Sequence, residues 1–278
     1  MEMVEEVSSK ASAQKFLRKL GVYERVKASW IYDAYWRLAD SRVLAERNGE
    51  VDFYRRLLKQ FPKGGLIFDI GANQGYKSDI FLRLGASVVA VDPDPLNQDI
   101  LIQKFLRRRF SRKSLHIEGK AVSDSQSVAT MWLDAPGSAK NTLNRKWVDS
   151  LRSDSVRFGH RLHFAGTRDV ETTTVEALIE RYGVPFFIKI DVEGHELAVL
   201  RGMKRPVKYL SFEVNLPEFV SEGRQCIDRL NEIEASGLFN YAVDCQGSLA
   251  LKEWMPHRDF LAFYGDIQES SVEIFWRT

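Results

Sequence analysis

Phe187-Ile188-Lys189-Ile190-Asp191-Val192-Glu193-Gly194 decides the fold: an apolar strand runs into an acid and then a glycine turn. Two earlier stretches repeat the pattern, Ile67-Phe68-Asp69-Ile70-Gly71 and Val88-Val89-Ala90-Val91-Asp92-Pro93. In an open parallel α/β sheet, ligands sit outside the carboxyl ends of the strands, so the acids of all three are expected at one crevice.

Outward from these strands, short apolar runs alternate with amphipathic helices from Leu66 onward, as in βαβ units. Strands are expected near 66–70, 87–92, 114–122, 185–191, 207–214, 238–244 and 272–277. Helices are expected over 76–84, 95–108, 174–182, 194–202 and 224–236. Seven strands with mostly helical crossovers predict an α/β fold with a doubly wound, mostly parallel seven-stranded sheet. Residues 10 to about 60 read as helices, with Phe16, Leu17, Leu20, Tyr23 and Val26 at helical spacing, then Ile31, Tyr35, Leu38 and Val43. The expected organisation is an N-terminal helical cap over 1–60 and one α/β domain over 61–278. The stretch 125–172 breaks the rhythm and reads as an insertion, functional or disordered. Val128 to Leu133 resembles a strand, and Arg161 to Phe164 is a second candidate.

Apolar residues make up 44% of the 278 and charged residues 28%, the balance of a soluble globular protein. The net charge of +2 is too small to imply nucleic acid or an anionic membrane by itself. No run reaches the roughly 18 apolar residues of a spanning helix. The acidic start, Glu2, Glu5 and Glu6, shows no secretory signal. Cys226 and Cys245 mark neither a disulfide framework nor a zinc spacing, so a cytoplasmic protein with reduced thiols is expected. The basic run Arg107-Arg108-Arg109 with Arg112 and Lys113 is read as a solvated helix end, since no nucleic-acid recognition motif accompanies it.

Asp69-Ile70-Gly71-Ala72-Asn73-Gln74-Gly75 follows a strand and opens a helix. It departs from the dinucleotide fingerprint, because Asn73 replaces the second glycine and Ser78 the third. The lost glycine would have admitted a pyrophosphate close to the backbone, which a cofactor without phosphate does not need. A nicotinamide oxidoreductase would need that missing pattern. Asp92 lies 23 positions after Asp69, where an adenosine ribose presents two hydroxyls to a carboxylate. A turn that binds nothing, and an acid that only caps the helix after Pro93-Asp94-Pro95, are the bland alternatives.

With Gly71-Ala-Asn-Gln-Gly75 followed by "FFIKIDVEGHELAVLRGM" over 186–203, the chain resembles the FkbM-type methyltransferases. "GKAVSDSQS", "TTTVEALIERYGVP" and "YLSFEV" extend the resemblance over roughly 50–245. It implies S-adenosylmethionine as cofactor, a class I Rossmann-like fold, and O-methylation of a small-molecule or glycan hydroxyl. Carried over by position, Asp69, Gly71, Ala72, Asn73 and Gly75 would form the turn holding the methionine part. Asp92 would take the ribose hydroxyls, and Ser123 and Asp124 would lie near the adenine. A non-catalytic protein that keeps the same crevice is the other class of reading.

Methyl transfer from a sulfonium needs the acceptor oxygen held in line and its proton removed by a base, or its acidity raised by a metal. Asp191 is the leading catalytic candidate and also a possible cofactor contact; Glu193 and His195 follow it at alternate positions, but Gly194 is expected to turn the chain into a helix, so strand alternation aligns only Asp191 and Glu193. His195 has the pKa best matched to a base near neutrality. No obligatory metal is expected. Glu213 and Asn215, at the tip of the fifth strand, are further substrate-contact candidates, and a buried Glu213 would require a partner. Lys140, Asn141, Thr142, Asn144, Arg145, Lys146 and Trp147 in the insertion offer donors and a stacking face to a glycan or phosphorylated acceptor, or form a solvated loop. Trp30, Tyr32, Tyr35 and Trp36 would line a lid or pack the cap.

Overall fold

A computed structural model describes residues 41–106, 115–153 and 162–278. The aromatic group Trp30–Trp36, the basic run Arg107–Lys113 and Arg161 lie outside the described residues.

The first described helix, α1 (Ser41–Leu57), leads into β1 (Leu66–Ile70), α2 (Tyr76–Arg83), β2 (Ser87–Val91), α3 (Pro95–Lys104) and β3 (Leu115–Glu118). The middle of the chain contains β4 (Ala121–Val122), β5 (Val128–Leu133), α4 (Arg145–Ser153), β6 (Gly166–Thr173) and α5 (Val175–Tyr182). Then come β7 (Phe187–Ile190), α6 (Glu196–Arg201), β8 (Tyr209–Asn215), α7 (Val220–Ile233), β9 (Leu238–Ala242), β10 (Met255–Pro256), α8 (His257–Tyr264) and β11 (Ser271–Arg277).

The main sheet has the order β10-β9-β11-β8-β7-β1-β2-β3. From β3 to β8 the neighbours pair in parallel, while β11 lies antiparallel between β8 and β9. The seven expected strands are therefore present, and the two-residue β10 adds an eighth at the edge. Alternate side chains of the same strands feed two cores. Phe68, Ile70, Ile188, Ile190, Leu210 and Phe212 belong to one. Ile67, Phe187, Tyr209 and Phe275 belong to the other, which α1 and α2 cover with Phe53, Tyr54, Leu57, Ile80 and Phe81. Tyr54 reaches the Phe187 ring at 5.7 Å, so this last part of the helical N-terminal region packs on the sheet itself.

The strand expected over 114–122 divides near Gly119: β3 stays in the main sheet, and β4 joins a separate sheet of order β4-β6-β5. Any side chain at Gly119 would press on the Gln98 amide. The strand expected from Arg161 to Phe164 is a miss. Leu162 and Phe164 are apolar because they are buried in the core, and Phe164 stands at φ 41°, outside strand backbone. The strand begins instead at Gly166 and pairs with β5 from Gly166 opposite Leu133 to Glu171 opposite Val128. Among the described residues, no helix is long and apolar enough to cross a membrane.

Candidate active site

The turn after β1 is built on left-handed backbone, with Gly71 at φ 83°, Asn73 at 46° and Gly75 at 74°. Gly71 has a second reason to lack a side chain, since a Cβ there would lie 1.7 Å from the Asp191 carbonyl oxygen. The N–H groups of Gly71 and Ala72 both donate to the Val91 carbonyl at 3.0 Å, which ties the turn to the end of β2. Asp69 is 2% exposed, points beneath the turn and accepts from the Ser78 hydroxyl. Burial pushes its carboxyl up to about 6, although the Ser78 bond opposes this. Asp69, Ala72 and Gly75 thus shape the turn from behind and do not line the cleft in front of it.

Asp92 does line that cleft. Its Oδ2 accepts from Asn73 N at 2.8 Å, and its Oδ1 from Asp94 N at 2.9 Å and Asn97 Nδ2 at 3.1 Å. Burial raises its pKa, and these three hydrogen bonds oppose the rise. The side chain of Asp94 caps α3 through Leu96 N and also accepts from Gly137 N and Asn141 Nδ2. The insertion therefore closes onto the β2 tip. Asn97 Oδ1, buried in the cleft wall, has no partner among the described residues.

Asp191, Glu193 and His195 meet in the same cleft. They do so through a turn, not through a continued strand: β7 ends at Ile190, and Glu193 and Gly194 stand at φ 53° and 89°. The Asp191 side chain is 32% exposed and lies 3.4 Å from the buried Lys189 ammonium. Burial opposes its ionisation, but Lys189, the hydrogen bond with Glu213 and the more distant Lys77 together outweigh this and hold the carboxyl below its ordinary value. Glu193 is pushed up to about 7 by burial, against the pull of Lys140 at 3.3 Å. Burial also lowers the His195 pKa, favouring the neutral ring, whose Nε2 lies 3.0 Å from the Ser123 hydroxyl. Ser123 is buried behind His195, and Asp124 is exposed and bonded to Ser125; neither lines the cleft.

Of the two readings open for the insertion, a stacking surface and a solvated loop, Trp147 fits neither. Trp147 is fully buried in the core, and its Nε1 donates to Glu193 Oε2 at 3.0 Å. Thr142 Oγ1 donates to the Glu193 carbonyl, and Asn144 Nδ2 to the Gly194 carbonyl. The donors of this stretch thus fasten the 192–194 turn. A residue not singled out from sequence, Glu196, fastens it from the other side: its Oε1 accepts from Val192 N at 3.2 Å and Gly194 N at 3.1 Å. An acid two residues past a glycine at a helix start was the available signal.

The cleft comprises about 710 Å³ of empty space, open to solvent. Its walls combine apolar Ile70, Val91, Val122 and Met131 with the acceptors Asp92 and Asn97 Oδ1. An unpartnered buried acceptor beside a carboxylate fits a ligand that brings hydroxyl or amino donors on an apolar ring system, as adenosine does. Among the described residues, no three His, Cys, Asp or Glu side chains are placed to hold a metal ion.

The methyltransferase FkbM domain matches residues 69–238. A hexuronic acid methyltransferase, AglP of Haloferax volcanii, is 26% identical over 186 residues, and the match spans 64% of this chain and 64% of that relative's length. Among solved structures, a TehB-like SAM-dependent methyltransferase from Corynebacterium glutamicum aligns with TM-score 0.41 and 12% identity, over 83% of this chain and 86% of the other. A SAM-dependent methyltransferase from Agrobacterium tumefaciens aligns with TM-score 0.41 and 9% identity, over 84% and 62%.

Proposed function

Because this chain belongs to the FkbM methyltransferase family, we propose that it transfers the methyl group of S-adenosylmethionine to a hydroxyl of a sugar, glycan or small metabolite. The products are S-adenosylhomocysteine and a methyl ether. One observation carries the reading: Asp92, Asn97 and the ionised Asp191 line one cleft beside the Gly71 turn, with Asn97 Oδ1 unpartnered in its wall. A sugar acceptor is supported by the relative described as a hexuronic acid methyltransferase. The free thiols Cys226 and Cys245 fit a reducing compartment such as the cytoplasm.

When bound, the cofactor supplies an electrophilic methyl carbon on a sulfonium. Asp92 has three protein donors on four lone-pair sites, so it keeps acceptor capacity for a ribose hydroxyl, and Asn97 Oδ1 offers another. Asp191 would accept the hydrogen of the acceptor hydroxyl and hold its oxygen oriented for in-line attack. Held ionised by Lys189, it remains an acceptor throughout the neutral range and takes the proton as the ether oxygen forms. Glu193, gripped by Trp147 and Lys140, and Glu196, gripping the backbone, keep the turn that carries Asp191 in place.

Calorimetry with S-adenosylhomocysteine tests the site. Binding is expected at micromolar protein and is expected to be lost in Asp92→Ala; no heat, or an unchanged Asp92→Ala isotherm, overturns it. Transfer of methyl label to a panel of sugars tests the reaction. Asp191→Asn is expected to lower kcat by about 10²–10⁴-fold with the isotherm preserved.

A further inference from the structure

The registers of three adjacent strands put their acids in a row. Ile190 of β7 faces Phe212 of β8, so Asp191, one residue on, comes beside Glu213. Glu213 in turn faces Glu273 of β11. Neighbouring strands lie about 4.8 Å apart, and like charges directly opposite destabilise a sheet. Three ionised carboxylates across these tips would therefore repel one another strongly.

Lys189 stands two residues earlier on the same face, 1% exposed, with its ammonium 3.0 Å from Glu273 and 3.4 Å from Asp191. The other charged groups facing the row are Lys77 from α2, paired with Glu50 of α1 at 2.6 Å, Asp69 from β1 and Glu193 from the turn. With Lys140, which pairs with Glu193 at 3.3 Å, three ammonium groups face six acids: Glu50, Asp69, Asp191, Glu193, Glu213 and Glu273. Net buried negative charge is costly, so the cluster retains protons.

Glu213 is where one proton sits. Ser271 Oγ donates to its Oε1 at 2.6 Å, and the same carboxyl is hydrogen-bonded to Asp191. Two carboxyl groups form that bond only with a proton between them. Burial first and the Asp191 charge second push Glu213 up to about 8, whereas Lys189 holds Asp191 down.

We propose that Glu213 is a positioning residue that works in its protonated form: its O–H donates to Asp191 and, together with Lys189, aims the Asp191 carboxylate at the acceptor hydroxyl. The role of Asp191 in this proposal rests on the methyltransferase reading above. The proton on Glu213 stays there through turnover; the proton released by the acceptor goes to Asp191.

Glu213→Gln supplies an N–H donor toward Asp191 and a carbonyl acceptor for Ser271 at every pH. Near neutrality it is expected to keep kcat within about threefold of the wild type, since a neutral donor replaces a neutral donor. The wild type is expected to lose kcat as pH rises past about 8, and Glu213→Gln to keep it there. Glu213→Leu is expected to lose kcat with unchanged affinity for S-adenosylhomocysteine. Infrared difference spectra of the unliganded protein read the proton without turnover. A protonated-carboxyl band should vanish near pH 8 in the wild type and be missing from Glu213→Gln. A band unaltered by Glu213→Gln overturns the proposal, as does an alkaline loss of kcat that Glu213→Gln leaves in place. Should the wild type transfer label to no acceptor, the functional reading fails, and the infrared band still decides where the proton sits.

Discussion

Trp147 Nε1 donates to Glu193 Oε2 at 3.0 Å, so the polar insertion and the turn after β7 are one mechanical unit. Glu193 is not a glycine, yet its backbone stands at φ 53°, a conformation that costs of order 1–3 kcal/mol and persists only where its surroundings enforce it. Thr142, Asn144, Lys140, Trp147 and Glu196 supply that enforcement from two sides. Trp147→Phe keeps most of the ring packing and removes only the donor. The expected loss is about 1–3 kcal/mol of stability, read by denaturant unfolding, because a buried carboxyl is left with one partner fewer. A larger share of that loss should vanish when Glu193→Gln is added than when Lys140→Ala is added.

Gly71 is fixed by two constraints at once, its φ of 83° and the 1.7 Å separation between a would-be Cβ and the Asp191 carbonyl oxygen. Gly71→Ala must push β1 and β7 apart at the point where the turn after β1 meets the turn after β7. The measured result should be loss of S-adenosylhomocysteine binding together with a stability loss of several kcal/mol, about the scale of strained backbone plus core overpacking. Gly85→Ala is the control. It has φ 86° but nothing within 4 Å of its Cβ, so it carries backbone strain alone and should leave binding intact.

The strands carrying Asp69, Asp92 and Asp191 were legible because each pairs an apolar run with a turn residue, a local signal that survives in one sequence. Asp92 and Asp191 do share a cleft, but Asp69 sits behind it, because strand alternation and the Ser78 hydroxyl direct its side chain into the core. The break at Gly194 was legible from its glycine, but the strand ends earlier, with Glu193 also at positive φ, so even Asp191 and Glu193 reach one cleft through a turn and not through alternation. Helix α4 was hidden in a polar stretch. Its signal, Trp147, Val148 and Leu151 buried on one face behind the Asn144 cap, is only a turn and a half long. The partners of Glu193 lie 46 to 53 residues away, and no local pattern encodes that distance.

Five acids around the cleft are pushed above their ordinary values, each chiefly through burial: Asp92 upward, Asp69 to about 6, Glu193 and Glu196 to about 7, and Glu213 to about 8. The sign follows from proton counts. Between the unfolded carboxyl pKa, roughly 4, and these values, the native state binds more protons than the unfolded chain, so stability falls as pH rises. The fall begins above about pH 4, continues through 6 and 7, and levels off beyond about 8. Each unit of displacement is worth about 1.4 kcal/mol. His195, pushed down by burial, acts in the opposite sense near its ordinary pKa, but it is one group against five. Scanning calorimetry of the unliganded protein should show Tm decreasing from mildly acidic to mildly alkaline buffer, with a shallower slope in Glu213→Gln. A Tm that climbs across that interval would mean that these carboxyls ionise as they do in water, and the acid row would have no proton to share.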